Sequence, residues 1–438
     1  MSKVNVIGGG LAGCEAAFRI AQAGFEVDLW EMRPVKSSPA HQTEELAELV
    51  CSNSLKSELP NTAQGLLKQE MRALGSLLLF CADQARVPAG SALAVDRQVF
   101  ARLVTEKITS HPRIKLIREE VLQIPAEGVT LIATGPLTSE ALSGQIAAWA
   151  GEENLYFYDA IAPSVTTESI DHDHAYKASR YGKGNADYYN CPLNQEQYED
   201  FYRSLIAADI NEGHSIDKKL FFQSCMPIEI MAHRGEDTLR FGPLRPIGLA
   251  DPATNERAYA VVQLRQEDKA GKIFGLVGFQ TRLLWGEQDR VFRLIPALKN
   301  AEFVRYGTMH RNTYINSPRV LQPTLQARNR EDLFFAGQIT GVEGYMESAA
   351  AGIIAGINIV KLLTGEKPLI LSPDTMMGAL IHFITSAEPA NFQPMNANFG
   401  LLPPLETRIR NKAQRYEAYS QRALKDITKY SELFIELL

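Results

Sequence analysis

The chain is poor in cysteine, and the few it has are badly placed for cross-linking. Cys14, Cys51, Cys81, Cys191 and Cys225 are scattered along 438 residues, odd in number and without a CxxC pair. That pattern excludes a secreted disulfide framework, a zinc ribbon and a thioredoxin-like dithiol. No uninterrupted apolar run reaches the roughly 18 residues that crossing a membrane requires. Nor does a charged leader with an apolar core precede the first strand-like run. The expected address is reducing and cytoplasmic, with no membrane partner. An excess of positive charge is missing too, the net charge being -6. A cation-coated protein is thereby excluded, but not one that grips nucleic acid through a local patch. Internal repeats and low-complexity tracts are absent, and 45% hydrophobic with 22% charged residues is a globular balance. The length suits two domains, or one domain interrupted by another.

What is present begins at once. Lys3 to Ile7 reads as a strand, Gly8-Gly9-Gly10-Leu11-Ala12-Gly13 as a turn, and Cys14 to Ala23 as a helix closed by Gly24. Phe25 to Trp30 is a second strand ending at Glu31, which completes a βαβ unit. Three glycines in six residues are weak evidence alone, but this context gives each a task. Gly8 permits the tight turn, Gly10 lets the backbone approach a pyrophosphate, and Gly13 lets the helix pack on the strand. The helix N-terminus stabilises phosphate charge, and Glu31 is placed to accept both ribose hydroxyls.

Two later strands decide between dinucleotides. Leu131 to Gly135 (LIATG) resembles the Ala-Thr-Gly strand of flavoproteins of the glutathione-reductase class. Phe334-Phe335-Ala336-Gly337-Gln338 resembles their C-terminal strand, followed here by a small-residue helix from about Tyr345 to Leu363. The expected fold is therefore α/β, a Rossmann-type FAD-binding domain resembling that class, with an inserted α+β domain. Residues 1–150 and 324–438 are assigned to the FAD domain, and 151–323 to the insertion facing substrate and RNA. No second GxGxxG follows, so a nicotinamide donor has no Rossmann fingerprint of its own.

Further stretches are more specific than a glycine loop. GGGLAGCEAA, WEMRP, PAHQT, VCSNSLKSE, RVPAGSALAVDR, ATGPLTSEAL, VQLRQEDKAG, VGFQT, MHRNTYINSP, GVEGYMESAAAG and FQPMNANFG resemble the folate- and FAD-dependent tRNA (uracil-5-)-methyltransferase family from Val4 to about Pro404. The resemblance implies 5-methyluridine formation in the T-loop of tRNA. Methylenetetrahydrofolate is then the carbon donor, and NADH or NADPH reduces FAD. The same chemistry on ribosomal RNA, or a small-molecule FAD oxidoreductase, are the alternatives. Oligomeric state is not legible. Motifs and resemblance together mark Gly8, Gly10, Leu11, Ala12, Gly13, Glu31, Arg33, Asn53, Thr134, Gly135, Gly337, Gln338 and Tyr345 as cofactor-binding.

Methylation at uracil C5 needs a thiolate adding at C6, to make C5 nucleophilic, and a group to remove the C5 proton. Cys225 (FFQSCMP) and Cys51 (LVCSNS) stand in motifs that match the family, Cys225 as nucleophile and Cys51 as its partner beside the flavin, in an order that sequence leaves exchangeable. Cys14, Cys81 and Cys191 read as packing. A flat pterin wants stacking surfaces and its glutamate tail wants cations, which makes Trp285, His310, Arg311 and Asn312 the folate candidates. For RNA phosphates, Arg282 to Arg330 carries nine Lys or Arg against three acids, and a basic helical tail from Thr407 adds to it.

Overall fold

Parallel strands need cover on both faces, and the glycine-marked start of the chain supplies the first pair of them. The computed structural model describes residues 3–38, 40–151, 155–182, 185–211, 226–252, 254 and 256–433. A six-stranded sheet runs in the spatial order 326–327, 330–335, 130–132, 3–7, 26–31, 114–118. Every neighbouring pair is parallel except the edge pair formed by 326–327 with 330–335. Burial on both faces explains why its central strands are apolar runs and not alternations: Val4, Val6, Leu131, Ile132, Phe334 and Phe335 have no exposed surface.

Helices Leu11–Gln22 and Tyr345–Thr364 pack against each other almost backbone to backbone. A Cβ added at Gly352 would lie 2.2 Å from the Ala12 carbonyl oxygen, and one at Gly356 3.1 Å from Ala16 Cα. The second helix has the length and apolarity of a membrane span, but most of it is buried inside the protein. Its small residues are there for close packing.

The second body is a six-stranded antiparallel sheet in the order 176–178, 188–193, 260–266, 273–276, 164–166, 303–305. It has its own core, built on Tyr198, Phe201, Leu264, Phe279 and Phe292, with helices Gln195–Ile206 and Trp285–Phe292 against it. The chain leaves the first sheet through the strand Leu155–Ala160 and returns through Met309–Tyr314, and these two pair antiparallel as a ribbon. Two central strands of the second sheet, Ala260–Gln266 and Ile273–Leu276, are apolar β-type runs paired antiparallel. The tail helix is shorter than its composition suggests, Lys412–Ile427, with the Asn411 side chain capping it. An apolar helix at Met376–Ser386 was not foreseen.

Candidate active site at the carboxyl ends of the parallel strands

At Gly8 the backbone turns with φ +108°, where only glycine is unstrained. A Cβ added there would stand 2.5 Å from the Ala133 oxygen, and one at Gly13 would stand 1.9 Å from the Gly8 oxygen. Gly10 differs: nothing lies within 4 Å of where its Cβ would be. The helix beginning at Leu11 and Ala12 has no side-chain cap and no acid in its first turn. Its first N–H groups are thus left for an anion.

Glu31 closes the second strand. Its Oε2 accepts from Gly9 N at 3.0 Å, and its Oε1 from the backbone N and the Nε of Arg33 at 3.1 and 3.0 Å. Burial opposes ionisation, but the hydrogen bonds and charge of Arg33 outweigh it and hold the carboxyl below the usual range. Arg33, itself buried, reaches on to Glu48 Oε2 at 3.0 Å and the Thr43 carbonyl at 3.1 Å. Glu48 also accepts from Gln42 N, Thr43 N and Thr43 Oγ1, so it folds the His41–Thr43 loop over the site. On the other wall, Thr134 Oγ1 lies 2.6 Å from Thr138 Oγ1, which donates to the Gly135 carbonyl. Gly8, Gly10, Trp30, Glu31, Arg33, His41 and Thr134 line one cleft at the ends of these strands. Open space over Gly10, an uncapped helix terminus and an ionised carboxylate at a strand end suit the pyrophosphate and ribose of FAD. The residues present fit that group.

About two hundred residues further along the chain, the site continues at the late strand Arg330–Phe335. Gly337 turns with φ +81°, and a Cβ there would meet Ala12 Cβ at 2.8 Å. Gln338 Nε2 donates to Glu343 at 2.6 Å. Tyr345 then opens the long helix, and its hydroxyl accepts from Cys51 N at 2.7 Å and Ser52 N at 3.1 Å. Burial drives this phenol well above its ordinary range, so it stays neutral. Arg265 donates to Ser52 Oγ at 2.7 Å and to Asn53 Oδ1 at 2.9 Å, and Arg305 reaches the Cys51 carbonyl at 3.5 Å. Positive charge from the second body therefore lies on the cysteine loop. Asn53, expected among the cofactor contacts, is fully buried and donates to the carbonyls of Val95 and Gln266. With its whole amide engaged by protein, it fixes the loop on which Cys51 stands.

Of the folate candidates whose side chains are described, Trp285 lines a cleft that Asn312 does not. Trp285 is 62% exposed and stacks on Tyr306, which stacks on Phe303. It shares a separate cleft with Ala40, Arg282 and Met309. Asn312 is buried beside the flavin domain, since Thr313 N donates to the Pro136 carbonyl, and both atoms of its amide lack a partner among the described residues. A buried amide left so is costly and marks room for a polar group. Register puts His310 and Arg311 opposite Asp159 and Tyr158 on the ribbon. Cys225 lies outside the described residues, although Met226 next to it clusters with Ile230 and Met309. Burial pushes the thiols of Cys81 and Cys191 up to about 12, and raises Cys14 further, aided by Glu31. All three are packing residues.

Sequence reasoning missed two groups near Tyr345. Glu347, buried, pairs with Lys56 at 3.2 Å and accepts from Ala397 N at 3.1 Å. Lys68, with no exposed surface, donates to the carbonyls of Leu55 and Gln64, and burial pushes its ammonium down to about 8. No signal marked either one, because their partners come from distant segments. The basic stretch 282–330 is a correction. Arg282, Arg290, Arg293, Arg305 and Arg330 each pair with an acid, Glu229, Glu287, Asp289, Glu267 and Asp332 respectively. Three of those acids lie outside the stretch, so counting charge along it overstated the field. Among the described residues no group of three His, Cys, Asp or Glu is placed to hold a metal ion.

Comparison with known proteins agrees with this geometry. The family described as glucose inhibited division protein A matches residues 3–367. A protein of Syntrophomonas wolfei named methylenetetrahydrofolate--tRNA-(uracil-5-)-methyltransferase TrmFO is 63% identical over 432 residues, covering 99% of each chain. Its namesake in Bacillus pumilus is 56% identical, covering 98% of this chain and 99% of its own. Among solved structures, Aquifex aeolicus GidA superposes with a TM-score of 0.72 at 18% identity, over 99% of this chain and 74% of that one. That last likeness is one of fold.

Proposed function

The chain belongs to the family of methylenetetrahydrofolate–tRNA-(uracil-5-)-methyltransferases, and from that premise we propose that it methylates uracil C5 in the T-loop of tRNA. FAD, reduced by NADH or NADPH, supplies the electrons, and methylenetetrahydrofolate supplies the carbon. Residues 1–150 and 324–438 hold the cofactor, and 151–323 faces folate and RNA. Gly8, Gly10, Leu11, Ala12, Gly13, Glu31, Arg33, Thr134 and Gly135 hold the nucleotide end. Gly337, Gln338, Tyr345 and the orphaned amide of Asn312 meet the flavin end. Trp285, His310 and Arg311 serve the folate side.

One observation carries this reading. The loop bearing Cys51 is pinned through its backbone by Tyr345 at the start of the helix that follows the flavoprotein-type strand, which supports a thiol working at the flavin end of a dinucleotide site. Cys225 adds at C6 of the uracil, and Cys51 handles the proton at C5. Arg265 and Arg305 bring positive charge to the loop, where the attacked ring develops negative charge. Incubation with unmodified tRNA transcript, NADH or NADPH, and folate labelled in its one-carbon unit tests it. Label is expected in 5-methyluridine and is expected to vanish in Cys225→Ala and in Cys51→Ala. Label in ribosomal RNA alone would change the substrate, and label in neither RNA would sink the reading.

A further inference from the structure

Cations that no acid pairs with among the described residues stand on the segment just before the tail helix, whereas those on the helix and just beyond it are partly paired. Arg422 is engaged by the carbonyls of Pro403 and Pro404 and by Asp374, and Lys429 by Asp426. Arg415 donates to the Ile409 carbonyl at 3.2 Å, which braces the segment before the tail helix. Arg408 and Arg410 stand exposed on that segment, with no hydrogen bond or ion pair among the described residues. Arg408, Arg410 and Arg415, with Thr407 and Tyr419, line a cleft of about 440 Å³ that, among the described residues, no acid lines. In a chain of net charge -6, such a cleft is a local exception, the reverse of the paired stretch 282–330.

Its position matters as much as its charge. Tyr419 stacks on Phe399 and Tyr416 lies tilted against it, at 5.8 and 4.4 Å between ring centroids. Two residues before Phe399, Ala397 N is held by Glu347, which binds Lys56 and lies two residues beyond Tyr345. Ser420 Oγ donates to the Pro60 carbonyl, just ahead of the helix Ala63–Ala73. The cleft is therefore braced, contact by contact, against the segments that hold the Cys51 loop.

We propose that the Arg408–Arg410–Arg415 cleft grips backbone phosphates of the substrate RNA while the target uracil occupies the flavin site. This rests on the methyltransferase reading given above. Guanidinium forks match phosphate oxygens in pairs, and phosphate contacts fix register on a nucleic acid without reading its bases. A uracil stacked inside a folded loop has to be extruded before a thiol reaches C6. An anchor on the backbone away from that base keeps the RNA in place while the base swings out.

The test compares the full-length holoenzyme with Arg408→Gln/Arg410→Gln, Arg408→Lys/Arg410→Lys and, as a charge control on exposed residues outside the RNA-facing body, Arg102→Gln/Lys115→Gln. Affinity for unmodified tRNA transcript is followed by fluorescence anisotropy over a salt series, with flavin absorbance and melting temperature reporting folding. The glutamine pair is expected to weaken binding about tenfold at 100 mM salt. Its salt slope becomes shallower by roughly 1.5 to 2, as for two lost phosphate contacts. The lysine pair recovers most of the slope, and the control pair leaves affinity unchanged. Unchanged affinity in the glutamine pair, an equal loss in the control, or no RNA binding by the parent protein would each overturn the proposal. Weakened binding by the glutamine pair, in a protein that transfers no label to tRNA, would uphold the cleft and overturn the methyltransferase reading instead.

Discussion

Tyr345 and Cys51 are 294 positions apart in the chain, yet one phenol oxygen takes the backbone N–H groups of Cys51 and Ser52. Backbone donors turned inward at a loop have no other acceptor on offer, and leaving one unsatisfied costs about 1–3 kcal/mol. Tyr345→Phe keeps the ring and removes the acceptor. It is expected to lower stability by about 1–3 kcal/mol in denaturant unfolding. It is also expected to reduce turnover by an order of magnitude or so while flavin content stays near full, because the thiol loses its support and the nucleotide end is untouched. Equal turnover in the variant would show that the Cys51 loop is held by Arg265 and Asn53 alone.

Helices meet in this molecule through acids as well as through small residues. Glu70, fully buried on the helix Ala63–Ala73, accepts from Met376 N at 2.7 Å and Met377 N at 2.8 Å, the first turn of Met376–Ser386. Burial, aided by the charge of Asp426, lifts its carboxyl to about 8 despite those bonds. An acid raised in the folded state from an unfolded value near 4.3 binds a proton that the unfolded chain has released. Its contribution is thus fully present below about 4.3 and is lost as pH rises towards 8. Glu70→Gln is expected to flatten the fall of melting temperature between pH 5 and 8, whereas an unaltered profile would place the titration elsewhere. Elements of this kind were only partly legible. The βαβ unit, the strand at Thr130–Ile132 and the late strand Arg330–Phe335 announce themselves, because glycine turns and apolar runs are local signals. Glu48, Lys68, Glu347 and the Asn53–Arg265 bond were invisible, since each takes its meaning from a partner brought near by topology. The paired arginines of 282–330 misled for the same reason: a run of charge says nothing about the acids that the fold sets against it.

At the scale of the whole molecule, the two bodies meet across the cysteine loop. Arg265 of the second sheet holds Ser52 and Asn53, and Glu267 two residues on pairs with Arg97 of the first body at 2.7 Å. Arg265→Ala takes the donor from the buried Asn53 Oδ1 and is expected to lower turnover more than flavin content. Hydrogen exchange should then speed up around Cys51–Ser57 while the parallel sheet stays protected, and an unchanged exchange pattern would mean that the ribbon alone sets the junction. The order of the parallel sheet has a consequence for how the protein is made. Its strand Thr130–Ile132 pairs on one side with Lys3–Ile7 and on the other with Leu333 to Phe335, so that second partner leaves the ribosome about two hundred residues later. At roughly 5–20 residues per second this is a wait of some 10–40 s, during which an apolar strand has one open edge. The second body, with a core of its own, is synthesised in that interval, and it can fold while the first is still waiting for its last strand. The first sheet is therefore complete only when Phe335, well past the midpoint of the chain, has been made.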